Sequence, residues 1–308
     1  MKFAVFGTGG VGGYFGGRLA RAGHDVTFIA RGRHLAAIRE SGLRVDSIGG
    51  DFMVKPAKAT DSPQSIGEVD CVILAVKAWQ LAGSIEQMRP LVGEQTMILP
   101  LLNGIEHIDL LVDSFGNHVL GGLCRISSYV ADAGYIKHVA LDPYLAFGEL
   151  DKSKSERVSR IVDAFKRASG IIVETPADIR FAMWEKYLLI SAFSGVGAVT
   201  RQPIGVFRSI PESRAMFRRM LEEVALVANA RGVDLNEASV QAAMDRIDKT
   251  QPDTMASMQK DIMEGRPSEL EAQTGSLVRM ARELSLSVPT HEFVYASLLP
   301  MEKMAREK

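Results

Sequence analysis

Two places in the chain combine residue types that could do chemistry. One is Lys186, which follows Glu185 and is the last charge before a long apolar stretch. Hydride delivery to a ketone creates an alkoxide, and an ammonium within hydrogen-bond reach can stabilise that charge and supply its proton. The other is the run Gly7-Thr8-Gly9-Gly10-Val11-Gly12. It has the spacing of the dinucleotide-binding pattern G-x-G-x-x-G, and no Lys-Ser or Lys-Thr follows that would make it a mononucleotide P-loop. Each glycine serves a different purpose. Gly7 permits a tight turn, Gly9 lets backbone approach a pyrophosphate, and Gly12 lets a helix pack closely on a strand.

The pattern means something only between a strand and a helix, and both are present. Lys2-Phe3-Ala4-Val5-Phe6 is a short apolar run. Val11 to Ala22 then carries Val11, Phe15, Leu19 and Ala22 on one helical face, and Gly23 ends it. The helix N-terminus would point free N–H groups at phosphates. A second strand, Asp25 to Ala30, ends where NAD-preferring folds place an acidic residue for the ribose hydroxyls, about 20 residues past the glycines. Here Ala30-Arg31-Gly32-Arg33 occupies that place. Arg31 suits a 2′-phosphate and so NADP, the alternative being a solvated surface arginine.

Val45 to Lys58 reads as a pair of strands turned at Gly49-Gly50-Asp51, and Ser62-Pro63 starts a further helix. The continuous apolar run Asp70 to Val76 reads as a strand buried on both faces, with Lys77 at its carboxyl end. That edge is where doubly wound sheets bind ligands, the alternative being that Lys77 caps a neighbouring carbonyl. The strand Thr96 to Leu102 likewise ends in Asn103-Gly104. The Asn103 amide suits a ribose, a nicotinamide carboxamide or a substrate, and an Asn-Gly turn would also explain the pair. Strands at His118–Gly122, Ile126–Ala131, Tyr135–Leu141 and Tyr144–Gly148 are expected to complete the sheet with an antiparallel portion. The fold class is therefore α/β: an N-terminal Rossmann dinucleotide-binding domain over residues 1–177, followed by an all-α domain over 178–308.

In the helical half, Met183 to Val199 is apolar on almost every face, as a buried central helix should be. Lys186, Ile190 and Ser194 recur every fourth position and share one stripe. A lysine there must find a partner or a cavity. Ser268 and Glu271 fit a capping box, so capping does not account for Glu269. Its alternative is favourable placement in a first helical turn.

Bulk properties narrow the function classes. The 308 residues are 46% hydrophobic and 24% charged, an ordinary globular composition. A net charge of -1 gives no electrostatic case for nucleic acid or an anionic membrane. The six histidines form no ligand cluster, so no metal site is expected. Cys71 and Cys124 lie in apolar runs and read as buried free thiols rather than a disulfide or a catalytic thiolate. The first strand begins at once, leaving no room for a signal peptide, and the longest apolar stretch is too short for a membrane span. A cytoplasmic enzyme is expected, with dimerisation through the helical domain compatible with the sequence.

Gly7 to Gly12, Val76-Lys77-Ala78-Trp79-Gln80, Asn103-Gly104, Trp184-Glu185-Lys186, and Ser257-Met258-Gln259-Lys260-Asp261 with Pro267-Ser268-Glu269 occur in that order. Together they resemble the ketopantoate reductase (2-dehydropantoate 2-reductase) family nearly end to end. The resemblance implies reduction of a 2-oxo acid by NADPH, as in the conversion of ketopantoate to pantoate in pantothenate biosynthesis. It makes Lys186 the general acid and Glu269 its acidic partner. Lys77 and Asn103 become residues near the nicotinamide and substrate, Ser257 a substrate-carboxylate contact, and Arg31 the 2′-phosphate reader. Family members carry two asparagines on the lysine stripe, where this chain has Ile190 and Ser194, and a third where it has Thr254. Ile190 removes hydrogen-bonding capacity outright, so the substrate pocket departs further from the pattern than the acid and cofactor machinery. The competing readings are a dehydrogenase of another carbonyl or hydroxy acid, and a non-catalytic NADP sensor.

Overall fold

The structure, a computed structural model, describes residues 1–307. The chain forms two units. The first comprises Met1–Leu102 and His107–Ile179; the second takes Asn103–Glu106 together with Arg180 onward.

In chain order the first unit contains β1 (Lys2–Phe6), α1 (Gly10–Arg21), β2 (Asp25–Ile29), α2 (Gly32–Ser41), β3 (Leu43–Ser47), β4 (Phe52–Val54), β5 (Lys58–Thr60), β6 (Cys71–Leu74), α3 (Leu81–Met88), β7 (Met97–Pro100), α4 (His107–Phe115), β8 (Gly121–Asp132), β9 (Tyr135–Gly148), α5 (Glu156–Arg167) and β10 (Ile172–Glu174). One sheet has the order β5-β2-β1-β6-β7, all parallel. Its strands β1, β6 and β7 carry apolar side chains toward both faces, as helices on both sides require. Phe3, Val5, Phe28 and Ile73 pack on one face, and Ala4, Phe6, Val72 and Ile98 on the other. The strand order switches between β1 and β6. At that switch the carboxyl edge of β1 leads into the glycine turn, and beside it the end of β2 leads into Arg31.

The later strands do not extend this sheet. β8 and β9 form a long antiparallel pair, and β9 also runs parallel to β3 and β10, giving a second sheet with the order β10-β9-β3-β4. The expected antiparallel completion of the first sheet is thus replaced by a separate layer, bridged to the first at Ile98 and Val119. The reason is long-range: β3 and β4 leave the first sheet and offer β9 a partner. Asp142-Pro143 does not break β9, and Ser62-Pro63 opens only a single turn of 3₁₀ helix. Cys71 and Cys124 are buried free thiols, and burial pushes the Cys71 thiol well above its ordinary range.

The second unit holds α6 (Ile179–Thr200), α7 (Ile204–Phe207), α8 (Pro211–Ala230), α9 (Glu237–Lys249), α10 (Ser257–Met263), a π turn (Glu271–Gly275) continuing into α11 (Ser276–Glu283), and α12 (Pro289–Arg306). α6 is central: Leu188, Ala192 and Val196 are fully buried. Gly195 lets α8 and α12 come close, since a Cβ there would meet Met220 and Val294. α12 is fixed at its start by Glu223 of α8, whose carboxylate accepts the backbone N–H groups of Thr290 (2.7 Å) and His291 (2.9 Å). Among the described residues no helix is long and apolar enough to cross a membrane.

Candidate functional site

The glycine turn is built as a cradle. Gly7 has φ +99°, and a Cβ on it would press on the Ala75 carbonyl at the end of β6. Gly12 allows α1 to lie on β1, since its Cβ would stand 2.1 Å from the Gly7 oxygen and 3.0 Å from Val5. Gly9 differs: nothing lies within 4 Å of the place where its Cβ would be. It is the N-cap of α1, so open space adjoins the unpaired N–H groups of the first turn. Gly10 has a separate duty, because its Cβ would collide with the Ser128 carbonyl of β8. That constraint is invisible in the sequence, being set by a strand far along the chain.

Thr8 is buried and ties the turn to β2 through two bonds to the Ile29 oxygen, from its N–H (3.2 Å) and its hydroxyl (2.9 Å). His34, which no motif in the sequence marks, completes the brace. Its Nδ1 accepts the Gly134 N–H at 3.0 Å, so the other nitrogen carries the proton and donates to the Thr8 oxygen at 2.8 Å. The imidazole is neutral, and burial lowers its pKa. A pocket of about 400 Å³ opens here, lined by Gly7, Thr8, Ala30, Arg31, Trp79 and Gln87 among others. Arg31 is exposed at the start of α2, with Nη2 donating to Gln87 Oε1 at 2.8 Å. Lys77 is exposed just past β6, with Nζ 5.7 Å from the centre of the Trp79 ring. An open N-cap glycine beside a helix N-terminus suits the phosphates of a dinucleotide.

In the second unit, three of the singled-out side chains meet. Lys186 Nζ donates to Asn103 Oδ1 at 3.0 Å, and Asn103 Nδ2 donates to Glu269 Oε2 at 2.9 Å. Each end of the amide therefore has its matching partner, which fixes its orientation. Asn103 reaches Glu269 because Gly104 (φ +94°) lies against the Ala272 carbonyl, where a Cβ would sit 2.6 Å from the oxygen. Glu269 is buried, and Gln273 Nε2 lies 3.4 Å from the same carboxylate oxygen.

The expected capping box does not form. The Ser268 hydroxyl donates to Glu302 at 2.5 Å and accepts the Leu270 N–H, while Glu271 instead takes Arg279 (2.7 Å) and the Tyr295 hydroxyl (2.8 Å). Ion-pair and phenol partners from the helix packing outcompete a local cap.

Among the described residues, Ile190, Ser194, Thr254 and Ser257 are not joined to this cluster by hydrogen bonds. Ile190 is partly buried one turn beyond Lys186 on α6. Ser194, a turn further, is buried with no hydrogen-bond partner for its hydroxyl among the described residues. Thr254 is partly buried before α10, and Ser257 is exposed at its first residue.

Comparison with known proteins agrees along the whole chain. Residues 3–152 match the family model described as ketopantoate reductase PanE/ApbA, and residues 178–302 match its C-terminal counterpart. The "Uncharacterized oxidoreductase YkpB" of Bacillus subtilis (strain 168) is 32% identical over 299 residues, covering 97% of this chain and 98% of that one. A 2-dehydropantoate 2-reductase of Nostoc sp. is 28% identical over 96% of this chain and 94% of its own. The crystal structure of a PanE/ApbA family ketopantoate reductase from Ralstonia eutropha JMP134 superposes with a TM-score of 0.89 at 30% identity, covering 99% of this chain and 100% of that one.

Proposed function

The chain belongs to the ketopantoate reductase family of oxidoreductases acting on a keto or hydroxy group, and we propose that it reduces a 2-oxo acid to the 2-hydroxy acid with NADPH. One observation carries the reading: a single amide, Asn103, holds Lys186 on one side and Glu269 on the other. Lys186 has three N–H donors and spends one on Asn103, which leaves donors for a substrate oxygen. An amide oxygen restrains the ammonium without competing for its proton. As the carbonyl is reduced, Lys186 stabilises the alkoxide and protonates it. Glu269 sets the amide and through it the lysine.

When bound, the reduced nicotinamide supplies the hydride. Residues Gly7, Thr8, Gly9, Gly10, Val11 and Gly12 would hold the pyrophosphate end, with Lys77 beside the cofactor. The exposed Arg31 guanidinium at the pocket rim supports NADPH over NADH, since it can pair with a 2′-phosphate. Ser257 offers its hydroxyl to the substrate carboxylate.

Relatives named 2-dehydropantoate 2-reductase make ketopantoate the first substrate to try. The apolar, partly buried Ile190 favours a 2-oxo acid with a less polar chain, because it offers no partner to a substrate hydroxyl. The deciding experiment is NADPH oxidation against a panel of 2-oxo acids that spans ketopantoate and apolar side chains. Turnover of one or more is expected. Tight NADPH binding with no turnover across the panel would make the protein a nucleotide sensor and end this reading.

A further inference from the structure

The segment that begins at Glu269 contains a π turn, Glu271–Gly275, in which the Ser276 N–H bonds to the Glu271 oxygen five residues back. A π turn holds one residue more than an α turn and turns carbonyls away from their usual partners. Here side-chain hydroxyls replace those partners. Ser276 donates to the Ala272 oxygen at 2.7 Å, and the Gln273 oxygen receives the hydroxyls of both Tyr187 and Ser191, each at 2.8 Å. All these groups are buried or nearly so, and Tyr187 and Ser191 are almost completely excluded from solvent. A buried carbonyl left without them would be costly.

Tyr187 and Ser191 stand one turn apart on α6, and Tyr187 directly follows Lys186. Ser191 is itself restrained by His291, whose Nε2 lies 3.0 Å from its oxygen and whose Nδ1 lies 2.6 Å from Glu223. The face of α6 that presents two hydroxyls to the π turn is thus rigidly backed by α8 and α12.

We propose that Tyr187 and Ser191 are positioning residues that hold the π turn and thereby aim Glu269 at Asn103. Removing one residue's worth of helix changes the phase of everything before it by about 100° and shortens the rise by about 1.5 Å. A π turn relaxed to α geometry would rotate Glu269 off the Asn103 amide. It would also shift Ala272, on whose carbonyl Gly104 rests. Neither hydroxyl touches Lys186, Asn103 or Glu269 directly, so their effect on the site passes through the backbone of the turn.

The kinetic part of this inference rests on the proposed reductase role of Lys186 and Glu269; the structural part does not. The test therefore has two readouts on the full chain, with Tyr187→Phe, Ser191→Ala and the double variant, and Ser191→Thr to restore a hydroxyl. In ¹⁵N spectra the Asn103 side-chain amide, assigned through Asn103→Ala, should move in Tyr187→Phe and the double variant in the same direction as in Glu269→Gln. Backbone resonances of α9 should stay in place. In turnover, kcat should fall by about tenfold or more with NADPH affinity within about twofold, the pattern of a misplaced catalytic group, and Ser191→Thr should recover most of it relative to Ser191→Ala. An unmoved Asn103 amide in the folded Tyr187→Phe protein overturns the inference, whatever the kinetics. An amide that moves while no 2-oxo acid is turned over by the parent protein supports the positioning role and refutes the reductase reading alone.

Discussion

Asn103 and Glu269, 166 residues apart, are joined by one hydrogen bond of 2.9 Å from the amide Nδ2 to Oε2. Because the other end of the amide accepts from Lys186, the asparagine acts as an oriented spacer between a cation and an anion. Asn103→Asp should be more harmful than Asn103→Ala. It deletes the N–H that Glu269 accepts and sets two carboxylates side by side, which cannot both stay ionised without strain on the site. Steady-state rates are expected to fall by about a hundredfold for the aspartate, the scale of a catalytic group displaced by an ångström. Equal rates for the two variants would mean that the spacer's polarity is irrelevant.

Lys186→Ala should lower kcat by roughly 10² to 10⁴, the usual contribution of a positioned general acid. NADPH affinity should hold, since the pocket at Gly7 and Arg31 is built from the first unit alone. Fluorescence titration alongside turnover checks both halves. An active alanine variant removes Lys186 from the mechanism.

For Arg31→Ala, the loss should fall on NADPH and spare NADH. A charge-assisted contact contributes about 1.5–3 kcal/mol, so NADPH binding should weaken by roughly tenfold to a hundredfold. Matching losses for both nucleotides would assign Arg31 a structural role, such as holding Gln87.

What could be read in the chain beforehand was what is contiguous. The strand, glycine turn and helix follow one another without a gap, so a Rossmann half was legible from residues 2–29. Lys186 stood out because it is the last charge before a long apolar run on its helix. The failures all depend on distant partners. β9 pairs with β3, and β8 with β9, in a sheet of their own, and Ser268 takes Glu302 from α12 in place of a local cap. The π turn has no local mark, because its carbonyls are satisfied by Tyr187 and Ser191 from another helix. His34 has a sequence signal too slight to find, a single histidine in a first helical turn, yet it braces the nucleotide cradle.

The glycines separate fold from binding. Gly12→Ala places a Cβ 2.1 Å from the Gly7 oxygen, a backbone atom that cannot step aside, and should cost stability on the scale of about 1–3 kcal/mol. Gly9→Ala meets nothing within 4 Å, and the residue's φ of −82° suits alanine, so its melting temperature should match the parent. The added methyl would instead occupy the space where phosphate should approach, and NADPH binding should weaken. Thermal unfolding and nucleotide titration should give opposite patterns for the two variants. A Gly9→Ala protein that binds NADPH normally would move the pyrophosphate elsewhere.

His34 makes the cradle sensitive to acid, and the sign follows from its two bonds. Burial is the largest cause of its lowered pKa, with the bond to the Thr8 oxygen opposing it. The folded protein therefore binds a proton here less readily than the unfolded chain, whose histidine titrates near 6.5. Its contribution is complete above that value and is lost as pH falls from about 6.5 toward the folded pKa. Protonation would also put a hydrogen on Nδ1, where the Gly134 N–H now points, so the brace between Thr8 and the β8–β9 turn breaks. Glutamine can copy the neutral imidazole, accepting from Gly134 through its oxygen and donating to Thr8 through its nitrogen, but it does not titrate. His34→Gln should thus keep NADPH binding near the parent level at pH 7.5 and lose less of it at pH 5.5. Its melting temperature should decline less steeply over that range, without becoming flat, because the buried His291 and the half-buried His24 are lowered too. A variant whose stability and binding follow pH as steeply as the parent's would place the acid sensitivity in those other histidines.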